Sequence, residues 1–233
     1  VLASEFLKRG VSVDLVLGRA EGVFIERLPK GVEIFELGRS RMTHNSWHLA
    51  RYLRVRKPRV VLSHMTHTNL VTVAAYLIGG WRSKIFLVEH TPLDQFLKHI
   101  NNAAQRKLTL MAINCFYRLA RGVIAVSEGV KEELCRQAPR LNGCVGRIYN
   151  PIVEQPRNIN NEIRAGHAWV DMGKPFVLAI GRLSKEKNFG FLIDTLAPLL
   201  RDTELKLIIL GEGSEREILE ARIASQNVAE FVS

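Results

Sequence analysis

Short β-branched runs alternate along this chain with longer amphipathic stretches, the pattern of βαβ units and a parallel sheet. Strand-length runs fall at residues 12–17, 33–36, 60–63, 85–89 and 122–126, with a sixth at 147–149. Between them the spacing of apolar positions predicts helices over 1–8, 44–56, 69–78, a long stretch over 94–119, and 128–136. The segment 151–175 interrupts this rhythm with three prolines and an Asn-rich patch, and reads as a linker. The pattern then restarts: a strand over 176–180, a helix over 188–200, a strand over 205–210, a helix over 214–225, and the start of a strand at Phe231-Val232-Ser233. The expected architecture is therefore α/β, with two Rossmann-like domains of parallel sheet at 1–150 and 176–233 joined by the 151–175 linker, the second domain truncated.

Composition narrows the class. With 233 residues, 47% hydrophobic and 24% charged, the chain is long enough for a substantial core and ordinary enough to exclude a fibre, a coiled coil or a disordered tail. Its apolar runs, such as Leu207-Ile208-Ile209-Leu210, are far shorter than the roughly 18–20 residues that span a bilayer. Cys115, Cys135 and Cys144 form no C-x-x-C pair, so neither a disulfide framework nor a zinc ribbon is indicated, and a reducing compartment is the default. The net charge of +10 is uneven: residues 1–150 hold 23 Lys and Arg against 11 Asp and Glu, a net +12, and residues 151–233 hold 10 against 12, a net −2. A basic first half suits lipid headgroups, a phosphorylated substrate or nucleic acid, and charge alone does not choose among them.

The segment richest in chemistry is Gly181-Arg182-Leu183-Ser184-Lys185-Glu186-Lys187-Asn188, which follows an apolar strand and leads into a helix. Ligands of open α/β sheets bind at the carboxyl ends of strands, where a following helix also offers free N–H groups. An arginine fork beside a lysine point charge suits a diphosphate; a solvated basic loop is the plain alternative for Arg182 and Lys187. Gly211-Glu212-Gly213 is a lone G-x-G after a strand, expected to be a tight turn needing φ > 0 that also lets backbone amides approach a nucleotide. His64 and His67 form an H-x-x-H, but no third ligand is nearby and the strand-to-loop setting is not that of a zinc protease, so no metal is expected. Ser127 is most economically a helix N-cap. The stretch 96–119 mixes Phe96, Leu97, Ile100, Leu108, Met111, Phe116 and Tyr117 with Lys98, Arg106, Lys107 and Arg118; it suits either a core helix or one lying on an anionic membrane.

Taken together, the run from Gly181 to Leu200, followed by Leu207-Ile208-Ile209-Leu210-Gly211-Glu212-Gly213, resembles the second domain of the GT-B-fold retaining glycosyltransferases of the "group 1", family 4 type. The resemblance extends through the first half: Val60-Val61-Leu62-Ser63-His64, Ile85-Phe86-Leu87-Val88-Glu89-His90-Thr91, Val123-Ile124-Ala125-Val126-Ser127 and Tyr149-Asn150-Pro151-Ile152 look like that family's strand ends and interdomain crossover. It implies that Arg182 and Lys187, with Gly181, Gly211 and Gly213, bind the donor's diphosphate, and that His90 acts catalytically at the donor sugar, where capping its loop is the alternative. Ser127, Asn150 and His64 are the further candidates for substrate contact. The family usually shows Lys-Gly where this chain has Lys187-Asn188.

The function implied is transfer of a sugar from a nucleotide-diphosphate donor, a UDP-sugar by preference, to a polysaccharide or lipid-linked acceptor with retention, by a hexosyl- or N-acetylhexosaminyltransferase. No cofactor or metal is expected. The implied location is cytoplasmic, peripheral at the inner face of the membrane. The same resemblance places a first strand with a glycine-rich loop before Val1 and a paired-glutamate motif after Ser233, so this stretch alone is expected to be inactive. Two alternatives stay open. A non-catalytic or differently reacting relative of the same fold, such as an epimerase, a phosphorylase or an inactive subunit, shares these motifs. A polyanion-binding module would use the basic half, but no helix-turn-helix, zinc or RNP signature accompanies it, so no nucleic-acid partner is expected.

Overall fold

The structure, a computed structural model, describes residues 1–22, 24–38, 42–80, 83–151 and 166–233, with residues 42–44 described by backbone only. The chain divides into two compact units, Val1–Glu154 and Gln155–Ser233. In the first, strands β1 (Val13–Leu17) and β2 (Val32–Glu36) form a parallel pair, and β3 (Val60–His64), β4 (Lys84–Glu89), β5 (Gly122–Ala125) and β6 (Val145–Arg147) form a four-stranded parallel sheet in that order. The connecting helices are α1 (Leu2–Lys8), α2 (Met42–Arg56), α3 (Thr66–Gly79), α4 (Leu93–Lys98), α5 (Ala103–Phe116) and α6 (Glu128–Gln137). The second unit holds α7 (Ala168–Asp171), β7 (Phe176–Ile180), α8 (Phe189–Asp202), β8 (Lys206–Leu210) and α9 (Arg216–Ser225). Here β7 and β8 pair in parallel, and Val232 bridges to Leu207.

The apolar runs of the four-stranded sheet become its core. Ile85, Leu87, Val123 and Val145 pack with Ile113, Tyr117, Leu134 and Leu141 in one buried cluster, each large apolar side chain there stabilising the fold by about 1.5–3 kcal/mol. Although β1 and β3 share no ladder, α2 spans both: Leu49, Ala50 and Leu53 pack against Val16 of β1 and Val61 of β3. A polar clamp reinforces this link, the Tyr52 hydroxyl donating to Asp14 Oδ2 at 2.6 Å while Arg56 reaches both Asp14 and Glu33. Burial raises the Asp14 carboxyl, the hydrogen bonds from Tyr52 and Arg56 and the Arg56 charge lower it more, and the balance lies below its ordinary value. In the second unit α8 and α9 cover the β7–β8 pair through Ile193, Ala197, Leu200 and Leu219, with Val177, Ala179 and Leu207 of the strands against them.

Several sequence expectations are corrected. The helix expected over 94–119 is two helices and a terminal 3-10 turn: the first ends at Lys98 with His99 as its C-cap, and Asn102 starts the second, its Oδ1 accepting from Gln105 N–H at 3.1 Å. The sixth strand lies at Val145–Arg147 rather than 147–149: Val145 pairs with Val123 and enters the core, whereas the apolar Ile148 and Tyr149 that suggested the later position are exposed. The last helix begins at Arg216 rather than 214, since Leu183 holds the preceding loop, donating to Glu212 O, accepting from Glu215 N–H and lying against Gly213. Of the expected 151–175 linker, residues 152–165, including the Asn-rich patch, lie outside the described residues, and the short α7 occupies part of the remainder.

Candidate functional site

In the second unit the loops after β7 and β8 touch through their backbones. Gly181 N–H donates to Leu210 O at 3.0 Å, Leu183 N–H to Glu212 O at 2.9 Å, and Glu215 N–H to Leu183 O at 3.1 Å. A Cβ on Gly211 would sit 1.8 Å from Gly181 O, and one on Gly213 would sit 2.2 Å from Leu183 O. Neither glycine has a positive φ, so close backbone approach, and not the φ > 0 turn expected from the sequence, demands them. The resulting double loop displays Arg182 and Lys187, both exposed and neither side chain engaged in a hydrogen bond or ion pair among the described residues. The Lys187 stem lies across the turn, its Cε 3.5 Å from where a Gly181 Cβ would be. Lys187 ends a 3-10 turn, and Asn188 then adopts the left-handed conformation, φ +51° and ψ +40°, before α8 starts. A cleft of about 260 Å³ lies alongside, lined by Ser184, Asn188, Gly190, Ile218 and Arg222, but includes neither Arg182 nor Lys187. Two exposed cations thus stand above a turn fixed by backbone contacts, the kind of charge arrangement that suits a polyphosphate.

In the first unit the C-terminal ends of successive strands carry the other candidates: His64 ends β3, His90 follows β4, Ser127 lies just past β5 and Asn150 past β6. The strand ends are aligned, Val126 N–H donating to Glu89 O at 3.1 Å and Ile148 N–H to Ala125 O at 3.0 Å. His64 and His90 meet directly, His64 Nδ1 lying 2.9 Å from His90 Nε2 with both rings half-buried. Burial, and then the charge of a protonated His90, hold the His64 imidazole below its ordinary value. Ser127 Oγ accepts from Val130 N–H at 3.2 Å, so it caps α6. Asn150 is exposed. His67 is exposed on α3 and does not join His64 in a ligand set; no group of three or more metal-ligating side chains occurs among the described residues.

The sequence reading missed one element of this site. Glu89, 2% exposed, accepts from Thr66 Oγ1 at 2.6 Å, Asn69 Nδ2 at 2.9 Å and Tyr117 OH at 2.7 Å, and pairs with no cation among the described residues. Burial, and then the Glu89 carboxylate, push the Tyr117 phenol well above its usual range, so it stays a donor. The available signal was an acid closing the apolar run Ile85-Phe86-Leu87-Val88, immediately before His90.

Comparisons with known proteins bear on this arrangement. The model of Glycosyltransferase Family 4 matches residues 1–155, and that of Glycosyl transferases group 1 matches residues 161–232. Among curated relatives, the N-acetylgalactosamine-N,N'-diacetylbacillosaminyl-diphospho-undecaprenol 4-alpha-N-acetylgalactosaminyltransferase of Campylobacter jejuni is 29% identical over 168 residues, covering 72% of this chain and 43% of its own length. Among solved structures, HepE of Anabaena in complex with UDP-glucose superposes with a TM-score of 0.70 at 17% identity, over 99% of this chain and 62% of HepE. Sucrose-phosphate synthase of Thermosynechococcus elongatus gives 0.68 at 15% identity, over 100% and 62%. This chain thus spans less than half of the Campylobacter relative, and the likeness to the solved structures is one of fold, GT-B. With both halves matched in order, and with a basic double loop and a histidine-bearing sheet edge where the motifs predicted them, the chain belongs to the group 1 glycosyltransferases of family 4 type.

Proposed function

We propose that the whole protein transfers a hexose or N-acetylhexosamine from a UDP-sugar to a hydroxyl of a lipid-linked or polysaccharide acceptor, with retention at the anomeric carbon. The observation that carries this reading is the unpartnered pair Arg182 and Lys187 on the rigid Gly181–Gly211 and Leu183–Gly213 contact. The UDP-glucose bound to HepE supports the donor class, and the diphospho-undecaprenol substrate in the name of the Campylobacter relative supports the acceptor class. In the reaction the bond from the anomeric carbon to the β-phosphate oxygen breaks with its electron pair going to UDP. The acceptor oxygen bonds to the same carbon and its proton passes to the leaving diphosphate. Arg182 and Lys187 meet the negative charge that grows on UDP as this bond lengthens, favouring the transition state over the ground state. His90 orients the sugar through a hydroxyl. None of these steps uses a metal. The retaining course follows from the family resemblance.

No helix among the described residues is long and apolar enough to cross a membrane, and a lipid-linked acceptor is reached from the cytoplasmic surface. Calorimetry of UDP, GDP and their sugar conjugates against the whole protein, beside Lys187→Ala, tests the donor site. UDP-sugars are expected to bind, and the variant to lose at least about tenfold in turnover, about 1.4 kcal/mol of transition-state stabilisation. A folded protein that binds no nucleotide, or a variant with unchanged turnover, would sink the assignment. Product analysis separates transfer from epimerisation and phosphorolysis.

A further inference from the structure

The histidine pair is held by more than its own hydrogen bond. Met65, next to His64, has φ +77° and ψ +138°, a conformation costly for a residue with a side chain and sustained only where its surroundings enforce it. The enforcement is visible: Met65 N–H donates to Val88 O at 3.0 Å, Asn69 Nδ2 donates to the same carbonyl at 3.1 Å, and Thr66 and Asn69 both grip Glu89. One buried carboxylate therefore ties the loop that follows His64 to the residue that precedes His90. Asn69, fully buried, leaves its Oδ1 without a partner among the described residues, a further sign that geometry here takes precedence over full satisfaction.

We propose that His64 is a positioning residue for His90, the Glu89 clamp and the His64–His90 hydrogen bond together fixing the His90 ring so that its Nδ1 faces a sugar hydroxyl. This rests on the reading of His90 as the donor-sugar contact. Two neutral imidazoles carry two ring protons, and one lies in the 2.9 Å bridge. The two outward nitrogens, His90 Nδ1 and His64 Nε2, then share the other. Reversing the bridge, with the outward proton leaving His90 Nδ1 and another being taken up at His64 Nε2 through solvent, switches His90 Nδ1 between donor and acceptor while both rings stay neutral. That behaviour matches a hydroxyl, which also donates and accepts. One added proton leaves the bridge intact and a second breaks it. Among the charged or titratable groups nearby, Glu89 spends both oxygens on Thr66, Asn69 and Tyr117, His67 is exposed, and among the described residues no Lys, Arg or carboxylate is hydrogen-bonded to or ion-paired with either imidazole.

The test is nitrogen-15 NMR of the histidine-labelled chain as a function of pH, on wild type, His64→Leu and His64→Asn, whose amide stands near the Nδ1 position. The wild type is expected to show two coupled steps and slowly averaging ring nitrogens. His64→Leu should remove the coupled second step and leave the His90 ring nitrogens without a tautomer bias, while His64→Asn should keep that bias. In transfer assays of the whole protein His64→Leu should cost about tenfold in kcat/KM and remove the acid limb that the pair imposes, with His64→Asn within about threefold of wild type. Two rings that titrate independently in the wild type overturn the inference even if no variant folds. A costly His90→Ala with a neutral His64→Leu overturns it and leaves the role of His90 standing. A neutral His90→Ala removes that role and the inference with it.

Discussion

Asn188 shows how one residue governs the direction of another. It occupies the place where the family resemblance expects glycine, and its φ of +51° and ψ of +40° explain that expectation. The left-handed conformation costs most L residues about 1–2 kcal/mol, and asparagine is among the few that adopt it readily. The departure from Lys-Gly to Lys-Asn is therefore conservative in backbone terms, and Lys187 keeps its path across Gly181. We expect Asn188→Gly to retain both stability and UDP binding, whereas Asn188→Val should lose about 1–2 kcal/mol in urea denaturation and weaken UDP binding by turning Lys187 away. A valine variant equal to wild type in both measurements would show that the turn tolerates another conformation. Ser127 belongs to the same scale: its capping role was readable from Ser-Glu-Gly-Val alone, because a cap is satisfied within three residues.

At the scale of elements, the contact between the loops after β7 and β8 is the feature on which the basic site stands. A methyl group on Gly213 would meet Leu183 O at 2.2 Å, and a backbone carbonyl fixed by Glu215 N–H cannot step aside as a flexible side chain does. Gly213→Ala is thus expected to cost about 3 kcal/mol, the upper range for overpacking, seen as a lowered urea midpoint of the second unit's transition. An unchanged midpoint would mean that the loops part freely. The glycines themselves were legible in the sequence; the reason for them was not, since Gly181 and Gly211 lie thirty positions apart and only the paired strands bring them together. The same distinction runs through the fold. Strands such as Phe176–Ile180 follow from a local run of apolar residues, and the sheet packs them where the pattern placed them. The break at Asn102 was hidden within a continuous amphipathic rhythm, and the Glu89 clamp depends on Thr66, Asn69 and Tyr117, partners 20 to 28 positions away. Local periodicity carries no information about such meetings.

Over the whole molecule, charge and exposed apolar surface combine into a further expectation. Between residues 37 and 127 there are 14 Lys and Arg against two acids, Glu89 and Asp94. Glu89 is buried and Asp94 pairs with Lys98 at 3.3 Å, so this part of the surface is almost free of available negative charge. Two helices packed against α3 also expose large apolar side chains within it: Trp47 and Val55 on α2, beside Arg51 and Arg54, and Leu108, Met111 and Phe116 on α5, beside Lys107. Within residues 96–119, Leu97, Ile113 and Tyr117 are core, while Leu108 and Met111 are 60% and 57% exposed and are the side chains on which a membrane reading would rest. Exposed apolar side chains ringed by cations suit the boundary of an anionic bilayer, where each basic residue near the surface adds about 1 kcal/mol and the apolar groups insert. Nucleic acid would be drawn by the same charge but offers no comparable place for Leu108 and Met111. In flotation assays the protein is expected to rise with vesicles containing phosphatidylglycerol, to remain behind with phosphatidylcholine alone, and to be released by about 0.5 M salt, where the Debye length shrinks to a few ångströms. Leu108→Ser with Met111→Ser, which removes the apolar groups without changing the charge, should weaken vesicle binding about tenfold or more while leaving affinity for single-stranded RNA nearly unchanged. Equal flotation of the double variant, or loss of RNA and vesicle binding in parallel, would reduce this face to a charged surface with no preference for lipid.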